Sequence, residues 1–121
     1  MSRILLAEDE EILRMLISDT LEDDGYELDE AQDGEEALKK MIAEEYDLIL
    51  LDYMMPVYTG LEVIERVRSV PERRDVKILM LSAKSQMADQ QAALQAGADY
   101  FMAKPFSPIQ LSEKVGEILR K

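Results

Sequence analysis

Asp47-Leu48-Ile49-Leu50-Leu51-Asp52-Tyr53-Met54-Met55-Pro56 decides how this chain folds. The apolar run between the two aspartates is too short to cross a membrane and too unbroken for a strand with one wet face. It predicts a strand covered on both sides. That strand ends on a carboxylate. Ligands of open parallel sheets bind beyond the carboxyl ends of the strands, so Asp52 stands where such a fold keeps its chemistry.

Working outward, Ile4-Leu5-Leu6-Ala7 is a similar buried run that stops at Glu8-Asp9-Glu10-Glu11. Behind it, Ile12, Leu13, Leu16, Ile17, Thr20 and Leu21 recur at helical spacing, which predicts a first helix over about 10–24 with Gly25 at its end. Tyr26 to Ala31 follows as a strand. Asp33 then caps a helix to about Glu44, with Ala37, Leu38, Met41 and Ile42 as its apolar stripe. On the other side of Asp52, Thr59-Gly60-Leu61-Glu62 fits a capping box and opens a helix that buries Leu61, Val63, Ile64 and Val67. Ser69 to Asp75 is a polar connector. Val76 to Leu81 is a third buried strand, ending on Ser82-Ala83-Lys84.

The helix expected over Met87 to Ala96 has few large apolar residues and should be loosely held. Tyr100 to Met102 gives the last strand. Ser107-Pro108-Ile109-Gln110 caps a final helix that carries Leu111, Val115, Ile118 and Leu119. Strand and helix thus alternate five times. The pattern predicts an α/β fold, a doubly wound parallel sheet covered by helices on both faces and joined by right-handed crossovers.

Composition narrows the function. A length of 121 residues suits one domain spanning 1–121, and 47% hydrophobic with 33% charged residues is the balance of a soluble globular chain. With 26 acidic against 14 basic residues the net charge is −12, the wrong sign for a groove that neutralises nucleic-acid phosphates. There is no cysteine, so disulfides, thiolate nucleophiles and cysteine zinc sites are excluded. Histidine is absent too, which removes the usual triads and leaves carboxylates, hydroxyls and lysine to do any chemistry. The first residues run into Glu8-Asp9 without an apolar signal core, so a cytoplasmic location without membrane association is expected.

Polar residues converge at the strand ends: Glu8 and Asp9, Asp52, Ser82, and Lys104. Crowded carboxylates repel one another, and a small hard cation relieves the repulsion. Mg²⁺ prefers one or two carboxylates, waters and a phosphate oxygen. Such a set suits phosphoryl transfer, with Asp52 as nucleophile, Glu8 and Asp9 at the metal, Lys104 as charge partner and Ser82 as hydrogen-bond donor. Singly, each has a plainer reading, since Asp ends strands, Ser caps helices and Lys is usually a solvated charge. Together they specify a site. Met54 and Met55 read as packing residues and Thr59 as a cap.

With those residues in place the chain resembles the receiver domain of bacterial two-component response regulators, like the single-domain chemotaxis member. Five stretches carry the resemblance along 1–121: Ile4-Leu5-Leu6-Ala7-Glu8-Asp9, Leu50-Leu51-Asp52-Tyr53-Met54-Met55-Pro56, Leu79-Met80-Leu81-Ser82-Ala83, Ala96-Gly97-Ala98-Asp99 and Lys104-Pro105-Phe106. It implies a flavodoxin-like sheet of order 2-1-3-4-5 and a phosphoacceptor switch at Asp52. It further implies Mg²⁺ as cofactor, bound by Asp9, Asp52 and the Met54 backbone carbonyl with help from Glu8. Lys104 and Ser82 match the family's lysine and switch hydroxyl, Phe101 its switch aromatic, and Lys104-Pro105 its cis peptide. Met54 and Lys84 are the positions that tune dephosphorylation. Three residues depart from the common pattern: Glu8 for Asp, Phe101 for Tyr, and Thr59 for Asp.

By the same resemblance the partners are a sensor histidine kinase or histidine phosphotransfer protein, and a downstream effector or output domain read by the surface of helix 4, strand 5 and helix 5. A phosphorylation-dependent homodimer is left open, as is whether the chain stands alone or belongs to a longer regulator. Two other classes compete. An aspartyl-nucleophile phosphatase or phosphotransferase would need a second aspartate near Asp52 and a cap domain, and Tyr53-Met54 offers no such acid. An interaction module that ignores phosphate would not need the intact acid, hydroxyl and lysine set.

Overall fold

Each apolar run becomes a strand and each periodic segment a helix. The computed structural model describes residues 2–83 and 87–120. In chain order these are β1 (Arg3–Ala7), α1 (Glu11–Asp23), β2 (Glu27–Ala31), α2 (Gly34–Ala43), β3 (Leu48–Asp52), α3 (Gly60–Arg68), β4 (Ile78–Ser82), α4 (Met87–Ala96), β5 (Tyr100–Ala103) and α5 (Pro108–Leu119). The strands form one parallel sheet in the order β2-β1-β3-β4-β5, as expected.

β3 and β4 are buried along their whole length, and β1 from its second residue. Alternation assigns their side chains to two cores. Leu5, Ala7, Ile49, Leu51, Ile78 and Met80 meet residues of α2, α3 and α4, chiefly Met41, Val63, Ile64 and Val67. Ile4, Leu6, Leu48, Leu50, Leu79 and Leu81 meet Ile17 and Leu21 of α1 and Leu111, Val115 and Ile118 of α5. Each fully buried leucine or isoleucine contributes about 1.5–3 kcal/mol by leaving water, so the central strands dominate stability. Polar β2 and short β5 close the sheet edges and are mostly partly exposed.

The caps form where the sequence places them. Asp33 accepts from the Glu36 amide, and both capping boxes, Thr59 with Glu62 and Ser107 with Gln110, are closed in both directions. Gly25 takes the left-handed conformation (φ +95°) just past α1. The Lys104–Pro105 peptide is cis. Among the described residues no helix is long and apolar enough to cross a membrane.

Two apolar stripes differ from their periodicity. In α1 the buried residues are Arg14, Ile17, Ser18 and Leu21, whereas Ile12 is 77% exposed and Leu16 47%. The helix is turned so that Arg14 and Ser18 reach hydrogen-bond partners on β2 and on the loop after β1. The same turn seats Ile17 and Leu21 in the core, which leaves Ile12 on the opposite side. In α2, Ile42 faces solvent while Ala37 and Met41 are buried, and Met54 is 53% exposed rather than packed. α4 buries only Ala93 completely, in keeping with its weak apolar face.

A clamp holds the carboxyl end of α4. Arg68, at the end of α3, donates from Nε and Nη2 to the Gly97 carbonyl (3.1 and 2.6 Å), and from Nη1 to the carbonyls of Arg74 and Val76. Asp99 completes it by accepting from the Ile78 amide and from Arg68.

Candidate functional site

The carboxyl ends of β1, β3, β4 and β5 lie along one rim, and their register sets which side chains meet there. Ala7 pairs with Leu51, Asp52 with Leu81, and Ser82 with Ala103. The residues just past β1 and β5, Glu8 and Lys104, therefore flank Asp52. The Lys104 amide donates to the Ser82 carbonyl (2.8 Å), which holds the lysine backbone over the end of β4.

Lys104 Nζ lies 2.9 Å from Glu8 Oε1 and 3.1 Å from Asp52 Oδ1, so one ammonium serves two carboxylates. Glu8 and Asp52 are almost wholly buried, and Asp9 beside them is exposed. Oxygen atoms of Glu8, Asp9 and Asp52 all lie within 4.8 Å of one another. The extra methylene of Glu8 does not take its carboxylate out of the cluster. Its second oxygen accepts from the Glu10 amide at 3.2 Å.

Burial and the neighbouring Glu8 charge push the Asp52 carboxyl up to about 7, against the opposing pull of Lys104. Burial disfavours the Lys104 ammonium, but the Glu8 hydrogen bond and the two negative charges outweigh it and hold that group above its usual value. Among the described residues the cluster thus sets three carboxylates, two of them buried, against one ammonium. All-oxygen donors, two of them buried, match what a small hard divalent cation takes, and the donor set fits Mg²⁺. A nucleophilic carboxylate, an ammonium and a metal-ready acid cluster at one point can support attack on phosphorus.

The remaining expected residues divide. Ser82 is buried at the end of β4. Phe101, on β5 opposite Met80, is partly buried against the core that contains α3 and α4. Met54 follows two residues after Asp52 in the turn beyond β3, with its side chain in solvent. Thr59 acts as a cap, as its sequence context predicts. Lys84 lies outside the described residues.

Two contributors were not foreseen. Gly60 donates its amide to the Tyr53 carbonyl (2.8 Å), and a Cβ there would sit 2.7 Å from the Asp52 carbonyl oxygen, so only glycine lets α3 start this close to the site. A glycine after a cap residue looks like an ordinary turn, and nothing in its position betrays the contact. Arg14 is the other. Its guanidinium reaches the Glu8 carbonyl (2.8 Å), and the only hint in sequence is a charged residue within an apolar stretch.

The response regulator receiver domain family matches residues 4–116. The alkaline phosphatase synthesis transcriptional regulatory protein PhoP of Bacillus subtilis is 44% identical over 119 residues, which cover 98% of this chain and 49% of that protein. The chain spans about half the length of the curated relatives it matches. Among solved structures, the chemotaxis response regulator CheY4 of Vibrio cholerae superposes with a TM-score of 0.93 at 35% identity, covering 98% of this chain and 99% of that one. The response regulator TrrA of Thermotoga maritima, in complex with Mg²⁺-BeF, gives 0.86 at 41% identity, covering 98% and 100%. Fold, rim and relatives agree: this chain belongs to the response regulator receiver domain family of two-component systems.

Proposed function

We propose that this chain, as one receiver domain over 1–121, is a phosphorylation switch whose phosphoacceptor is Asp52. An Asp52 oxygen attacks the phosphorus of a phosphohistidine on a partner kinase or phosphotransfer protein. An O–P bond forms as the N–P bond breaks and the imidazole leaves. Lys104, already 3.1 Å from Asp52, is placed to balance charge on the transferred group, and Ser82 donates a hydrogen bond to it. Glu8, Asp9, Asp52 and the Met54 carbonyl would hold Mg²⁺, which when bound lowers the repulsion between incoming phosphate and carboxylates. The observation that carries this reading is the Asp52–Lys104–Glu8 cluster, with Asp9 at its edge. The Mg²⁺-BeF complex of the Thermotoga relative supports the same assignment.

The chain catalyses its own phosphorylation and dephosphorylation in this scheme rather than turning over a metabolite, with Met54 and Lys84 tuning the second step. Movement of Ser82 toward the phosphoryl oxygens frees space for Phe101. The surface of α4, β5 and α5 then changes its preference for an effector protein or output domain, provided the phosphoryl group contacts the two states unequally. This places the protein in the cytoplasm beside its kinase.

The test is direct. Incubation with a small acyl phosphate and Mg²⁺ should add one phosphoryl group to the wild type, detected by intact mass, and none to Asp52→Asn. Equal labelling of the two proteins would reject Asp52 as the acceptor.

A further inference from the structure

Arg14 is a charged side chain on the inner face of α1, with only 8% of its surface exposed. Its Nη1 donates to the Glu8 carbonyl (2.8 Å) and, more weakly, to the Asp9 carbonyl (3.4 Å). Its Nε donates to Glu30 Oε1 (3.1 Å) at the far end of β2, and Ser18 Oγ holds the other Glu30 oxygen at 2.8 Å. One planar guanidinium therefore ties the backbone carrying both strand-1 acids to the sheet edge, and a serine one turn along the helix fixes its anchor. The same face of α1 seats Ile17 and Leu21 in the core, so Arg14 is held inward by packing as well as by its hydrogen bonds. Turning α1 to place Arg14 inward leaves Ile12 and Leu16 in water.

We infer that Arg14 is a positioning residue for the metal site, setting Mg²⁺ affinity by fixing the Glu8–Asp9 backbone through the Arg14–Glu30–Ser18 network. This rests on the reading of Glu8, Asp9 and Asp52 as metal ligands. Groups that orient ligands from behind a metal site govern affinity even though they never touch the ion. The direction of the effect separates this role from simple electrostatics. A positive charge near a cation site repels the ion, so neutralising Arg14 would tighten Mg²⁺ binding if charge alone mattered. If positioning matters, the same change weakens it.

The experiment titrates Mg²⁺ into the phosphate-free protein by calorimetry, for wild type, Arg14→Gln and Arg14→Lys. Arg14→Gln should raise the Mg²⁺ Kd by about tenfold. Arg14→Lys keeps the charge but cannot reach Glu30 and the Glu8 carbonyl at once, so it should also weaken binding, by less, and serves if Arg14→Gln does not fold. Phosphorylation by a small acyl phosphate should slow in both variants at low Mg²⁺ and regain the wild-type maximum at saturating Mg²⁺. A Kd unchanged or lower in the variants, or a reduced maximum rate with an unchanged Kd, overturns the inference. Absence of Mg²⁺ binding by the wild type overturns the metal reading itself, and this inference with it.

Discussion

Replacing Asp52 with asparagine should stabilise the metal-free protein, and the gain should grow with pH in a calculable way. The folded chain holds the Asp52 carboxyl near pH 7 against an ordinary value of 3.8, so it keeps a proton that the unfolded chain gives up. A group with a raised folded pKa contributes its stability below the unfolded value and loses it as pH rises toward the folded one. At 1.36 kcal/mol per pKa unit, ionising Asp52 costs the fold about 1–2 kcal/mol at pH 5 and about 4 kcal/mol at pH 8. The amide keeps the shape and an oxygen for Lys104 but has no charge to bury. The stability difference between Asp52→Asn and wild type should therefore widen by about 2–3 kcal/mol from pH 5 to pH 8. Most other titrations cancel in that difference. Urea unfolding in EDTA at the two pH values measures it, and the gap between midpoints should open by about 1–2 M. Added Mg²⁺ should narrow the gap again, because the metal binds the folded wild type with its full set of carboxylates. A gap in EDTA that is flat or closes with rising pH would refute the account of Asp52 as a carboxylate strained by burial and by Glu8.

Other consequences are quicker to test. Lys104→Met removes the cation that, among the described residues, opposes Glu8 and burial, so the Asp52 carboxyl, followed by carbon NMR, should titrate above 7. Gly60→Ala forces a Cβ against the Asp52 carbonyl at 2.7 Å, and the shift needed should lower stability by about 1–3 kcal/mol while slowing phosphorylation. Val57, a β-branched residue at φ +73° in the loop after β3, is strained, so Val57→Asn should stabilise the fold by about 0.5–1 kcal/mol in the same urea assay.

The order and nature of the elements could be read from the sequence because buried parallel strands need continuous apolar runs, and this chain supplies them at Ile4, Leu48 and Ile78 onward. The caps were equally plain, since Thr59 with Glu62 and Ser107 with Gln110 satisfy helix ends locally. Strand-end polar residues gave the site, helped by family resemblance for roles such as that of Phe101. What escaped was long-range. Glu30 binds Arg14 and Ser18, 16 and 12 residues away, and hydrophobic spacing alone placed Ile17 and Leu21 correctly but also put Ile12 and Leu16 on the buried face. The contact of Gly60 with the Asp52 backbone likewise arises only when the loop after β3 folds back.

The Arg68 clamp gives α4 a mechanical character. Its carboxyl end is pinned through Gly97 and Asp99 to α3 and β4, whereas along its length only Ala93 is fully buried. Such a helix is a lever with its fulcrum at Gly97. Over 10 residues, about 15 Å, a ten-degree tilt carries the Met87 end about 2.6 Å and leaves the fulcrum in place. Ser82 precedes Met87 by five positions in the chain, so the end of the arm far from Gly97 is the end nearest in sequence to the carboxyl end of β4.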